Sequence, residues 1–152
     1  MEWVDESMKT NSIKHVFILT HAPMYSTGSF GSEPYFTHKL EYLLDRHPNI
    51  KAVFAGHDHI FSAFKRNNTM IMVNGCGGGA LGGMKKGRIW NETSYHGEML
   101  ADDDQRIGYN YHLDSSMIYS KTEVTIGEEE ITYRIINLEM EEQEYQYIQN
   151  IV

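Results

Sequence analysis

The sequence predicts an α/β fold in which parallel strands are followed by antiparallel hairpins. Three observations carry that reading. Two short apolar, β-rich runs, residues 15–20 (HVFILT) and 51–55 (KAVFA), flank a segment whose leucines recur at helical spacing. Two further runs meet at Asn67-Asn68, and a last pair alternates about Gly127. Strand, loop, helix, strand is a βαβ unit, so its two strands are parallel and the loops that follow them share one edge of the sheet.

Taken in order, residues 2–10 (EWVDESMKT) read as the end of an amphipathic helix with Trp3 and Met8 on its buried side. Residues 15–20 are a short apolar, β-rich run, the profile of a strand covered on both faces. A loop with two glycines and two prolines follows, residues 21–34. Residues 36–47 (FTHKLEYLLDRH) are helical: Leu40, Leu43 and Leu44 share a face, and Pro48 lies just past the end. Residues 51–55 form a second buried strand, and GHDH follows at once. Asn67-Asn68 is the turn of a hairpin over residues 60–75, which runs into the glycine-rich stretch 75–83. An irregular polar stretch extends to about His112. In the closing hairpin Val124 and Ile126 share a face of one strand, and Ile131, Tyr133 and Ile135 a face of the other. From about Glu141 the chain is expected to be a short helix or a frayed tail. There is no internal repeat.

At 152 residues the chain is one domain's worth, and 41% hydrophobic with 22% charged residues is a globular composition. A formal net charge of −8 disfavours nucleic acid, whose phosphates call for surplus Lys and Arg. Part of that charge sits in the acidic tail, residues 139–152, set apart from a body of residues 1–138. The lone Cys76 excludes an internal disulfide framework. No apolar run approaches the ~20 residues of a membrane span, and the first residues make no signal peptide. Sequons at Asn67 and Asn91 are read as chance.

Chemistry gathers at the strand ends. His21 is the first residue after the first strand; His57 and His59 follow the second within a few positions. Loops at the carboxyl edges of adjacent parallel strands converge, where open α/β sheets hold ligands. Either these are ordinary polar loop residues or they aim imidazoles, common metal ligands, at one place. The one-residue gap between His57 and His59 suits two adjacent ions, one histidine each, better than a single ion.

FILTHAPMYSTGS followed by VFAGHDHIF resembles the last two sequence motifs of the calcineurin-like metallophosphoesterases, which include the purple acid phosphatases. EWVDESMK is similar to the tail of the helix before these strands in that family. VNGCGGGALGG resembles its glycine-rich strand end, and the closing hairpin resembles its last two strands. The resemblance implies a fragment of a four-layer α/β/β/α sandwich. It implies a dinuclear centre of divalent or trivalent ions (iron, zinc or manganese), with His21 and His57 on one ion and His59 on the other. It also implies hydrolysis of a phosphate ester, in which the two ions supply the nucleophile and neutralise phosphoryl charge. An acidic protein can bind phosphate when metals bring the positive charge.

The departures matter as much. The family's earlier motifs, Asp-x-His, Gly-Asp-x-x-Asp and Gly-Asn-His, would stand before His21, and only twenty residues do. Residues 45–47 (DRH) match Asp-x-His in letters only, at a helix end between the last two motifs. The chain thus resembles the C-terminal half of the domain: a truncated product, a partial gene product or one piece of a split protein. It lacks the bridging carboxylate and the proton donor, and is expected to be a weak or inactive catalyst alone. A partner chain or dimer carrying the missing motifs would complete it. The rival reading is a non-catalytic remnant that serves as an interaction or regulatory module. Among other residues, Tyr25 either lines the cleft to bind substrate or packs, and Asp58 either orients a histidine or shapes the turn. Residues 85–88 (KKGR) either face phosphate or form a solvated turn. The glycine run is read as close backbone packing and Cys76 as a small buried residue. His96 and His112 have no assigned partner.

Overall fold

The computed structural model describes residues 2–10, 13–83 and 111–151. Two helices and eight strands appear among them: α1 (Glu2–Thr10), β1 (Val16–Thr20), α2 (Pro34–Arg46), β2 (Ile50–Ala55), β3 (Phe61–Arg66), β4 (Thr69–Asn74), β5 (His112–Ser116), β6 (Ser120–Ile126), β7 (Glu130–Asn137) and β8 (Glu142–Asn150). One sheet has the order β1-β2-β4-β3-β5 and the other β6-β7-β8. β1 and β2 are parallel, as the βαβ pattern predicts, and β4 runs parallel to β2 on its other side. β3 runs antiparallel to β4 across the Asn67-Asn68 turn, where Asn67 takes a left-handed φ of 52°. The layers are helices, five-stranded sheet and three-stranded sheet, a mixed α/β fragment of the expected sandwich.

Alternation along the strands builds two cores. Met8 of α1 and Leu40, Leu43 and Leu44 of α2 pack with Ile50, Val53, Phe64 and Ile71 on the helix side. On the other side Ala52, Phe61, Ala63, Met70 and Met72 meet Ile131, Tyr133 and Ile135 of β7. In β6 Val124 and Ile126 stand opposite Tyr133 and Ile131 of β7. Burying one such side chain contributes about 1.5–3 kcal/mol, so these two clusters hold the layers together.

Four expectations are corrected. β1 is not covered on both faces: among the described residues it is an edge strand, and Leu19 is 79% exposed because the second sheet packs over β2, β3 and β4. Trp3 is not buried. Val4 and Met8, four residues apart, turn inward and leave Trp3 78% exposed on the flank of α1. The end of the polar stretch at His112 is strand β5, paired with β3. The chain beyond Glu141, expected as a short helix or frayed tail, is β8, paired with β7. Its Tyr145, Tyr147 and Gln149 alternate inward. Gln149 is fully buried; its amide donates to the Lys51 carbonyl at 3.1 Å and to the Asn68 carbonyl, and its oxygen accepts the Tyr133 hydroxyl at 2.7 Å.

Candidate metal centre

β1 and β2 end side by side, Thr20 opposite Ala55. The chain leaves β2 through Gly56, whose N–H donates to the His21 carbonyl at 3.2 Å. His57 then adopts φ 65°, a region few non-glycine residues enter. That turn brings His57 Nδ1 to 3.2 Å from His21 Nε2, with the rings edge-on at 5.1 Å and 75°. Both side chains are exposed.

Asp58 holds this geometry. It is buried between the two exposed histidines, and its carboxylate accepts the Ser26 hydroxyl at 2.5 Å, the Phe30 N–H at 3.0 Å and the Gly31 N–H at 3.2 Å. Of the two readings open for Asp58, the contacts support loop shaping: it ties the GHDH turn to the loop after β1. Glycines make room for it. A Cβ at Gly28 would run into the Asp58 carboxylate and one at Gly75 into its carbonyl. The glycine run wraps His59 in turn. His59 Nδ1 lies 2.8 Å from the Ala80 carbonyl, Gly82 N–H donates to the His59 carbonyl at 2.7 Å, and a Cβ at Gly79 would stand 2.8 Å from His59 Cε1.

Two nitrogens bound to one tetrahedral ion at about 2.0–2.1 Å lie about 3.3–3.4 Å apart. The 3.2 Å between His21 and His57 fits two donors on one ion. His59 is tethered to a carbonyl through Nδ1, the way metal-binding histidines are commonly oriented, and Nε2 is its remaining donor. The number of donors falls short: among the described residues no group of three or more His, Cys, Asp or Glu is placed to hold a metal, whereas a zinc site takes three or four protein ligands.

Tyr25 does not face this place. It is fully buried, stacked on Tyr111 and edge-on to Phe64, with its hydroxyl 2.7 Å from Glu41 and 3.3 Å from Arg66. Burial and the neighbouring Glu41 push its pKa far up. That is a packing position, sealed by the Arg66 ion pairs to Glu41 and to Asp45. Cys76 is buried as expected, against Ser120 Oγ at 3.0 Å. His112 in β5 lies 2.8 Å from Ser115 Oγ, and burial lowers its pKa. Residues 85–88, Asn91 and His96 lie outside the described residues.

Two features escaped the sequence reading. Phe30 is 71% exposed, with its ring 4.8 Å from that of His57; a lone aromatic inside GSFGS was the available signal. A shallow cleft of about 390 Å³ opens at the same strand ends, lined in part by Leu19, Phe54, Gly56, Asn74 and Val124.

Against known structures, the chain superposes on a purple acid phosphatase from yellow lupin (Lupinus luteus) seeds with a TM-score of 0.73 over 97% of its length, at 12% identity. The fold is metallophosphoesterase-like. GAP50, described as the anchor in the inner membrane complex of Plasmodium, gives a TM-score of 0.69 over 96% of this chain at 16% identity. The chain spans 27% of the phosphatase and 39% of GAP50. No protein-family profile matches the sequence, and no curated protein matches it.

Proposed function

We propose that this chain contributes the histidine half of a dinuclear metal centre that hydrolyses phosphate esters. The observation that carries the reading is the approach of His21 Nε2 to His57 Nδ1 at the ends of adjacent parallel strands. In this reading His21 and His57 bind one ion through those atoms, and His59 binds the second through Nε2. Asp58 fixes the loops that present them, and the glycine run orients His59. The ions, iron, zinc or manganese, supply the positive charge and the activated nucleophile that an acidic chain lacks. Carboxylate ligands come from outside the described residues, from a partner chain or a second copy. The metallophosphoesterase-like fold supports the phosphate-ester substrate class.

Zinc uptake by the purified chain, measured by titration calorimetry and elemental analysis, tests it. Uptake by the native chain, reduced by His57→Ala to the same degree as by His21→Ala, is expected. Phosphatase activity of the loaded protein is then the second readout. A second reading has its own support in the absence of a three-donor cluster among the described residues and in the likeness to an anchor protein. It holds the chain to be an interaction or regulatory module without chemistry. No metal in the native chain, with an intact fold, would give that reading the lead.

A further inference from the structure

We propose that the cleft between α1 and α2 is a docking site for a partner protein that presents an arginine side chain, received by the Trp3 ring and the Glu2 carboxylate. The inference stands apart from the metal centre, because this cleft shares no residue with the strand ends.

The cleft encloses about 690 Å³ in the helix layer. Glu2, Trp3 and Asp5 line it from α1, and His38, Lys39 and Tyr42 from α2. Most of the charges and rings there already have partners within the chain. Asp5 Oδ2 pairs with Lys9 at 2.6 Å and Asp5 Oδ1 with His47 at 2.7 Å. Lys39 Nζ lies over the Tyr35 ring at 4.1 Å, and the Arg46 guanidinium over that of Tyr42 at 5.0 Å. His38 stands 3.7 Å from Glu41. Two groups are left over. Among the described residues no cation or ring meets Trp3, and no cation pairs with Glu2. The cations of α2 thus cover two tyrosines of that helix, while Trp3, an indole and the best ring for a cation, stands 78% exposed. An open indole and an open carboxylate lining one cleft complement a guanidinium, which stacks flat on a ring and gives paired N–H bonds to a carboxylate. An ammonium group lacks that planar fork, so arginine fits better than lysine. The start of α1 carries a partial positive charge of about half a unit, and Glu2 in its first turn sets a full negative charge against it. The net charge of −8 draws a basic partner toward the chain.

The test is titration calorimetry with acetyl-Gly-Arg-Gly-Arg-Gly-amide and with the same peptide carrying citrulline, the uncharged isostere, in place of arginine. A cation on an exposed ring and an exposed ion pair together correspond to about a three- to twentyfold difference in affinity. The arginine peptide should bind the native chain more tightly by that factor. Trp3→Leu and Glu2→Gln, both at exposed positions, should leave the circular dichroism spectrum as it is and each weaken the arginine peptide about two- to fivefold. Glu139→Gln, in the acidic segment near the end of the chain, should leave its affinity unchanged. In a Trp90→Phe background, where Trp3 is the one tryptophan left, the arginine peptide should shift the emission. Equal affinity for the two peptides, or no binding of either, would overturn the site. So would equal losses in Glu2→Gln and Glu139→Gln, which would mean a peptide spread over the acidic surface, or a native affinity retained in Trp3→Leu.

Discussion

Replacing Asp58 by asparagine removes one charge and almost no volume, so its effect isolates what the carboxylate does. Asp58 Oδ1 accepts the Phe30 N–H, and Oδ2 accepts both the Ser26 hydroxyl and the Gly31 N–H. Asparagine keeps one acceptor oxygen and sets an NH₂ against at least one of those backbone donors. Hydrogen bonds to a charged group contribute about 1.5–3 kcal/mol each, and an orphaned buried donor costs about 1–3 kcal/mol. One bond lost outright and two weakened come to about 3 kcal/mol. For a chain of 152 residues, at about 2–4 °C per kcal/mol, Tm should fall by about 6–12 °C. Urea unfolding followed by far-UV circular dichroism gives the same quantity as a shifted midpoint. Ser26→Ala removes the bond to Asp58 and also the one its hydroxyl accepts from the Gly28 N–H at 3.0 Å, and should cost about 2–4 kcal/mol. A loss under about 0.5 kcal/mol, the scatter of ordinary surface substitutions, would refute the clamp.

Two glycines give contrasting outcomes. Gly75→Ala drives a methyl into the Asp58 backbone carbonyl, which cannot swing away, and should destabilise by about 3 kcal/mol or more by thermal melt. Gly79→Ala meets the His59 imidazole first, a side-chain ring that can give way, so stability should change by less than about 1 kcal/mol while the His59 ring resonances shift in NMR. His112 supplies a pH dependence. Burial holds its folded pKa below that of the unfolded chain, so the unfolded state takes up the proton first. Its contribution is complete above about pH 6.5 and declines as the pH falls below that value. Urea midpoints at pH 7.5 and 5.5 should therefore fall less in His112→Gln than in the native chain.

What was legible in the sequence was whatever apolar pattern dictates. Leu40, Leu43 and Leu44 marked the buried face of α2, the two apolar runs marked β1 and β2, and together they placed His21 beside His57. β8 was obscured by its composition: EQEYQYIQN is polar and acidic, and its period of two survives only in Tyr145, Tyr147 and Gln149, one of them an amide. Gln149 belongs inside because Lys51, Asn68 and Tyr133 satisfy it, and no local pattern reports such distant partners. β5, HLDSS, is short and polar and is a strand because β3 offers it an edge. In the site the convergence of His21 and His57 was readable from the βαβ pattern, which sets both loops at one edge of the sheet. The work of Asp58 was not, since its three partners lie about thirty positions away on another loop. Trp3 shows the opposite failure, because an apolar residue on a short helix says little about which side the protein occupies.

Among the described residues β1 pairs with β2 alone and leaves a row of backbone donors and acceptors open along its other side, and its sequence, VFILT, contains no charge and no proline to guard that side. At neutral pH the net charge of −8 keeps molecules apart. Protonating the carboxylates removes that repulsion while leaving the open edge unchanged. We expect concentrated solutions to turn cloudy on mild acidification and Leu19→Lys to delay it, as light scattering would record. For this chain colloidal behaviour would then be set by five residues of one strand, and the histidines that begin where that strand stops would be lost to precipitation before they were lost to unfolding.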